Sequence, residues 1–303
     1  MELVAQGLTK IFGNFKALDN VDFNIEGKGC YGYLGPNGAG KTTTMKIFTN
    51  LLRPTKGKAL INGIDVNKEP VKALRYVSAS IEDPEPYSYM QVEEFIKFAC
   101  KLRGTQIDSK TLLDLSEKLK LPPLNSKCAK LSKGQKRRVY LAGLLAQNSD
   151  IYILDEPTAG LDPEESIIIR NILAEMKKEK LIFLSSHLLY EVTQVCDYVL
   201  FLNKGRIIEK GYVSEISSKF TSKSLRVEFS KPVDEQVIRS LIDSQLITQY
   251  KKENDFSYIL QYDGKDETRR SIIQILTKYE LRSFFDSTLG LEEAYLKLIR
   301  EEQ

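Results

Sequence analysis

Short apolar runs alternate with longer stretches of helical periodicity as far as about Gly211. That alternation predicts an α/β sheet with crossover helices. The runs at 30–34 (CYGYL), 151–154 (IYIL) and 181–184 (LIFL) are nearly continuous, as central strands buried on both faces require. Two further runs, 199–202 and 206–208, flank Asn203-Lys204-Gly205 and read as a hairpin that closes this part. The segment 84–147 is mostly helical, with a break at Leu121-Pro122-Pro123, and reads as a helical subdomain inserted in the sheet.

A small, polar and basic segment at 217–224 follows, where a linker is expected. Beyond it come a strand (225–229), a helix (234–241), a hairpin (247–262, turning at Glu253-Asn254-Asp255), a helix (267–278) and a strand (281–284). The order is βαββαβ, a split βαβ domain of α+β class. A final helix over 291–300 sets Leu291, Ala294, Tyr295 and Ile299 along one face. The expected organisation is therefore a domain over 1–216 containing the helical subdomain, a linker over 217–224 and an accessory domain over 225–303.

Composition narrows the function classes. The 303 residues are 42% hydrophobic and 28% charged, an ordinary globular balance with a prior of two domains. Lys and Arg total 44 against 41 Asp and Glu, a net +3 that is too weak to hold nucleic acid or anionic lipid by charge alone. No nucleic-acid partner is expected. The longest uncharged apolar stretch, 139–146, falls far short of the ~20 residues of a membrane helix, and nothing in MELVAQGLTKIFG marks the chain for secretion. Four cysteines with no CxxC pair read as reduced thiols of a cytosolic protein, and a single histidine removes most metal-site and histidine-triad chemistry.

The remaining chemistry begins where the 30–34 strand runs into Gly35-Pro36-Asn37-Gly38-Ala39-Gly40-Lys41-Thr42-Thr43. This satisfies GxxxxGK[ST] in its strand–loop–helix setting. Glycines let successive N–H groups face phosphate oxygens, the helix adds its positive end, Lys41 reaches the outer phosphates, and the Thr42 hydroxyl ligates Mg²⁺. The strand ending in Asp155 and Glu156 can place one carboxylate beside Mg²⁺ and use the other to activate water, although two acids after a strand often merely begin a loop. Ser132 and Gln135 form a capping-box pattern that is also the geometry of an anion site, and taken alone the cap explains it. Asp162-Pro163 likewise reads as a plain helix start. His187 follows the 181–184 strand, at the sheet edge where a γ-phosphate contact is expected.

Five separated elements, GPNGAGKTT, LSKGQ, ILDEP, AGLDP and SSH, occur in one order and together resemble the ATP-binding cassette (ABC) family of ATPases from about Leu3 to Gly211. The resemblance implies a P-loop NTPase fold: a RecA-like core, an antiparallel β-subdomain and an inserted helical subdomain. It implies that Phe12 stacks on adenine, that 131–135 is the signature loop, that Asp162 falls in the D-loop and that His187 is the switch histidine. Ser132, Gly134 and Gln135 would then face ATP held by a second chain. Two ATP molecules would be sandwiched in a head-to-tail homodimer.

Two departures stand out. Where the family usually has a metal-ligating glutamine, the chain has Ala79-Ser80-Ile81-Glu82-Asp83, and Glu82 is the expected substitute, with Ala79 or Ser80 as alternative alignments. Lys133 stands where the family usually has glycine, either as a cation near the partner's phosphates or as a solvated helix-start lysine. With SSHLLYEV and LEEAYLKLI, these resemble the branch exporting drugs, peptide antibiotics or ions through a separate integral membrane permease, the ATPase lying on the cytoplasmic face of the membrane. Tyr87, Tyr89, Phe95 and Phe98 are read as a permease-docking groove or as subdomain core. The alternative of a soluble ABC ATPase acting on ribosomes or DNA resembles tandem-cassette or coiled-coil chains. The accessory domain carries no metal or nucleophile pattern and reads as a dimer-supporting or regulatory addition.

Overall fold

The computed structural model of the chain describes residues 1–220 and 224–287. It divides into two compact units, Met1–Val213 and Ser214–Gln303. The first begins with two long strands, β1 (Glu2–Phe12) and β2 (Phe15–Glu26), paired antiparallel so that Phe12 faces Phe15 across a Gly13-Asn14 turn. Then come β3 (Gly29–Leu34), α1 (Lys41–Phe48), β4 (Lys56–Ile61), β5 (Ile64–Asp65), α2 (Pro70–Leu74) and β6 (Val77–Ser80). The helical segment supplies α3 (Val92–Leu102), α4 (Ser109–Lys118) and α5 (Lys133–Leu145). The unit continues through β7 (Ile151–Asp155), α6 (Pro163–Met176), β8 (Leu181–Ser186), α7 (Leu189–Val195), β9 (Tyr198–Asn203) and β10 (Arg206–Tyr212).

These strands make two sheets. One is antiparallel in the order β2-β1-β4-β5; the other runs β10-β9-β3-β8-β7-β6, parallel except for the β10 edge. Strands β7 and β8 are buried along their whole length, which is why their sequences are apolar without alternation. Between the sheets Phe23, Tyr33, Phe48 and Phe183 form one aromatic cluster, with ring centroids 5.2 Å apart for Tyr33 and Phe183. The Tyr33 hydroxyl lies 3.2 Å from Thr44 Oγ1, tying β3 to α1 directly beneath the phosphate loop, and its burial pushes the phenol well above its usual range.

The helical segment is inserted between β6 and β7, which are neighbours in the sheet. Parallel pairing in register (Leu34 with Ser186, Asp155 with Ser185, Ser80 with Leu154) brings four strand ends to one edge. That carboxyl edge is where an open α/β sheet builds its site.

In the second unit α8 (Val213–Phe220) leads to β11 (Ser224–Phe229), α9 (Glu235–Asp243), β12 (Gln249–Asn254), β13 (Ser257–Gln261), α10 (Asp266–Leu276) and β14 (Leu281–Ser287). The strands pair antiparallel in the order β12-β13-β11-β14, so the βαββαβ succession folds as a split βαβ sheet. Alternate residues Leu225, Val227 and Phe229 pack with Tyr258, Leu260, Ile238, Leu241, Ile272 and Leu276 in its own core. Two sequence expectations differ locally. The first four residues of the expected linker, 217–220, are helical in α8, and the unit boundary falls at 213 rather than 216. The expected helix over 291–300 lies outside the described residues.

Candidate active site

The loop 35–40 joins β3 to α1 at the carboxyl edge. Gly38 and Gly40 take φ of +82° and +112°, a conformation L side chains rarely adopt, and a Cβ on Gly40 would stand 2.6 Å from the Ala17 carbonyl. Helix α1 has no side-chain cap and no acid in its first turn, so its leading amides are left for an anion. Lys41 is almost fully buried; its Nζ donates to the carbonyls of Gly35 (2.7 Å) and Pro36 (3.3 Å) and lies 3.6 Å from Glu156 Oε1. Burial pulls the Lys41 ammonium below the usual lysine range, and the charges of Glu156 and Asp155 oppose that pull.

Asp155, the last residue of β7, is the hub of the acidic side. Its Oδ2 accepts from Thr42 Oγ1 at 2.8 Å and from the Glu82 amide at 3.4 Å, while Oδ1 accepts from Ser185 Oγ at 2.5 Å. Ser185 Oγ also accepts the Glu156 amide at 2.9 Å, and Glu156 Oε2 lies 2.9 Å from His187 Nδ1. A continuous chain Thr42–Asp155–Ser185–Glu156–His187 thus crosses the ends of three strands. Ser185 is the first residue of the SSH element, but its role there is found from register, since it sits opposite Asp155 on β8.

Above the loop lies a cavity of about 290 Å³ lined by Phe12, Phe15, Asn37, Gly38, Lys41, Thr42, Thr43 and Glu156. Both phenylalanines are substantially exposed, and Lys10 Nζ stands 4.9 Å over the Phe12 ring. Phe15 has no motif in the sequence; the pairing that sets it opposite Phe12 across Gly13-Asn14 brings it to the cleft. Exposed rings at one end of a cleft and a cation with bare amides at the other suit a planar base joined to phosphates. Thr42 and Asp155 supply hard oxygen donors to which Mg²⁺ is suited. Among the described residues no group of three or more His, Cys, Asp or Glu could hold an ion unaided.

Other expected residues are placed elsewhere. Ser132 caps α5: its Oγ accepts the Gln135 amide at 3.1 Å and its own amide donates to Gln135 Oε1 at 3.0 Å, the full capping box. Asp162 caps α6 by accepting the Glu165 amide at 2.8 Å. A Cβ on Gly134 would overlap the Glu165 carboxylate, 1.8 Å from Oε2. None of Ser132, Gly134, Gln135 or Asp162 lines the cavity of its own chain.

Two of the expected groups have ion-pair partners within their own chain. The Glu82 carboxylate is paired with Lys46 and largely exposed, so only the Glu82 backbone, at φ +65°, reaches Asp155. Lys133 Nζ is 2.8 Å from Asp83 Oδ2, so the lysine is already partnered within its own chain. The four aromatics divide as well: Phe95 is buried and Tyr89 exposed, while Tyr87, Phe95 and Phe98 line a cavity of about 220 Å³ with Leu102, Tyr140 and Leu144.

Known proteins resemble this arrangement. The family model described as "ABC transporter" matches residues 18–159. An uncharacterized ABC transporter ATP-binding protein of Bacillus subtilis is 29% identical over 296 residues, 97% of this chain and 95% of that protein. A lantibiotic transport ATP-binding protein of Streptococcus pyogenes is 36% identical over 213 residues, covering 69% of this chain and 91% of the relative. Among solved structures, the ATP-binding subunit of an ABC transporter superposes with a TM-score of 0.65 at 30% identity over 73% of this chain and 93% of that one.

Proposed function

The chain belongs to the ABC transporter family of ATP-binding proteins, and from that premise we propose that it hydrolyses ATP as a homodimer to power a separate membrane permease of the export branch. The carrying observation is the unbroken hydrogen-bonded chain from Thr42 through Asp155, Ser185 and Glu156 to His187, lying beside a helix N-terminus that nothing else caps. The phosphates occupy the amides of 38–43, and Lys41 turns its charge from the Gly35 and Pro36 carbonyls onto them. Thr42 and Asp155 would hold Mg²⁺, which would supply neutralisation of charge on the phosphate oxygens. Glu156 accepts the proton of the attacking water, and His187, hydrogen-bonded to the same carboxylate, orients it toward the γ-phosphate. Phe12 and Phe15 hold the base.

Ser132, Gly134, Gln135 and Asp162 lie away from this cavity, which supports their role as contacts to ATP on a second copy in a head-to-tail pair. Among the described residues no helix is long and apolar enough to cross a membrane, and we assign the spanning role to another chain. The Tyr87–Phe98 cavity on the inserted subdomain is the docking site we assign to that chain, a permease on whose cytoplasmic side this subunit sits. The lantibiotic transport relative and the departures around Glu82 and Lys133 support export of a drug or peptide antibiotic.

The test is the Glu156→Gln protein with ATP and Mg²⁺. It is expected to bind ATP, lose turnover by roughly 10²-fold or more, and accumulate as dimer in sedimentation. Parental turnover by Glu156→Gln overturns the base assignment, and a monomer at high protein and ATP concentration overturns the sandwich.

A further inference from the structure

Glu156 presents its carboxylate from a backbone that L residues avoid, with φ at +47°. A non-glycine residue keeps such a conformation only where its surroundings over-determine it. Here both peptide groups of the residue are pinned by side chains. The N–H donates to Ser185 Oγ at 2.9 Å, and the carbonyl accepts from Arg137 Nη2 at 2.6 Å. The same guanidinium reaches the carbonyls of Pro157 (Nε, 3.3 Å) and Asp155 (Nη2, 3.5 Å), and gives Nη1 to Asp83 Oδ1 at 2.6 Å.

Arg137 lies on α5, in the second turn after the Ser132 cap, and its side chain is only 8% exposed. A buried cation is tolerated where it is paired and its donors are used, and here three consecutive carbonyl oxygens and one carboxylate use them. None of these partners is a phosphate-binding group. Asp83 accepts Lys133 as well, and these two cations hold its carboxyl below the usual carboxylate range, Lys133 contributing most. Asp83 follows Glu82, the other acid with a left-handed backbone at this edge.

We infer that Arg137 is a positioning residue for ATP hydrolysis: its guanidinium fixes the Glu156 peptide so that the carboxylate stays on His187 and the cleft, and Asp83 holds the guanidinium in place. This rests on Glu156 being the water-activating base. The effect belongs to the rate of the chemical step and leaves nucleotide affinity alone, because the contacts end on backbone oxygens behind the site. Lysine cannot replace the fork, since one ammonium cannot span three carbonyls and a carboxylate from a single point.

The experiment compares the full chain with Arg137→Lys and Asp83→Asn, each alone and combined with Glu156→Gln, by single-turnover ATP hydrolysis, equilibrium ATP binding and thermal unfolding. Arg137→Lys is expected to slow hydrolysis about 10- to 100-fold and Asp83→Asn about 3- to 10-fold, with ATP affinity within about 2-fold of the parent. In the Glu156→Gln background both losses should shrink to less than about 2-fold, because a residue acting through Glu156 has nothing left to position. Losses of full size in that background overturn the inference while leaving the base assignment standing. A parallel fall in affinity and melting temperature reduces Arg137 to a structural role and equally overturns it. If Arg137→Lys does not fold, Asp83→Asn decides alone, and parental hydrolysis by that variant refutes the positioning chain. Glu156→Gln with parental turnover removes the base assignment and this inference together.

Discussion

Helices α1 and α5 both begin at motifs that the proposed function assigns to phosphate, yet the two ends are built in opposite ways. α1 starts from a left-handed glycine with no side chain on its leading amides and no acid in its first turn. α5 starts from a serine whose hydroxyl and amide are both engaged by Gln135. The bare end carries unsatisfied donors whenever it is empty, so it gains most from an anion and can recruit one from solution. The capped end is satisfied in isolation. Its Ser132 Oγ accepts a hydrogen bond but still has its own proton to donate, so it can meet a phosphate delivered on a second copy without dismantling the helix start. Under the proposed function, the bare end would bind first and the capped end would wait.

The bare end should therefore be the more fragile. Lys41→Ala is expected to weaken ATP binding by about 100-fold or more, since it removes the one buried cation aimed at the loop, and equilibrium dialysis of the Mg²⁺-ATP complex measures it. A variant that binds like the parent would erase the distinction between the two ends.

Ser132→Ala tests the other side. It should leave ATP affinity of the monomer unchanged, while in the Glu156→Gln background the dimer dissociates about 10-fold more readily in ATP, read by sedimentation. The lost cap also lowers helix stability by about 1 kcal/mol, a fall of roughly 2–4 °C in melting temperature. Weakened binding in the monomer would mean that the capped end serves its own chain's nucleotide.

Lys133→Gly should do least. Its pairing with Asp83 is more than half exposed on both partners, and such pairs contribute at most about 1 kcal/mol. Dimer stability in ATP should shift by less than about 3-fold. A larger loss would show that Lys133 leaves Asp83 to meet the partner's phosphates.

Much of the site could be read from residues because the phosphate loop and the Asp155-Glu156 pair carry their chemistry in local spelling, and strand ends in a parallel sheet are forced to one edge. Lys41, Thr42, Asp155, Glu156 and His187 were expected there, and the structure brings them within hydrogen-bond or ion-pair reach. What spelling could not show was pairing across distance. Ser185 depends on register, Arg137 on how α5 meets the end of β7, and Glu82 on a competing lysine in the last turn of α1, Lys46. The βαββαβ order was legible from alternation, Leu225, Val227 and Phe229 inward with Arg226 exposed, whereas the helix over 217–220 was masked by its small polar composition.

The helical segment enters after an edge strand, β6, and returns on that strand's only neighbour, β7. An excursion leaving from the rim disturbs no interior pairing, so its length and surface can drift or be exchanged wholesale while the buried strands keep their register. Two things constrain such an exchange: a replacement must still offer a guanidinium to the peptide oxygens at the end of β7 and, under the proposed function, a capped helix start equivalent to Ser132–Gln135 to a second copy. If the membrane partner docks on this segment as proposed, selection can re-address the ATPase by editing one peripheral module while the buried strand ends that carry Asp155, Glu156 and Ser185 are inherited intact.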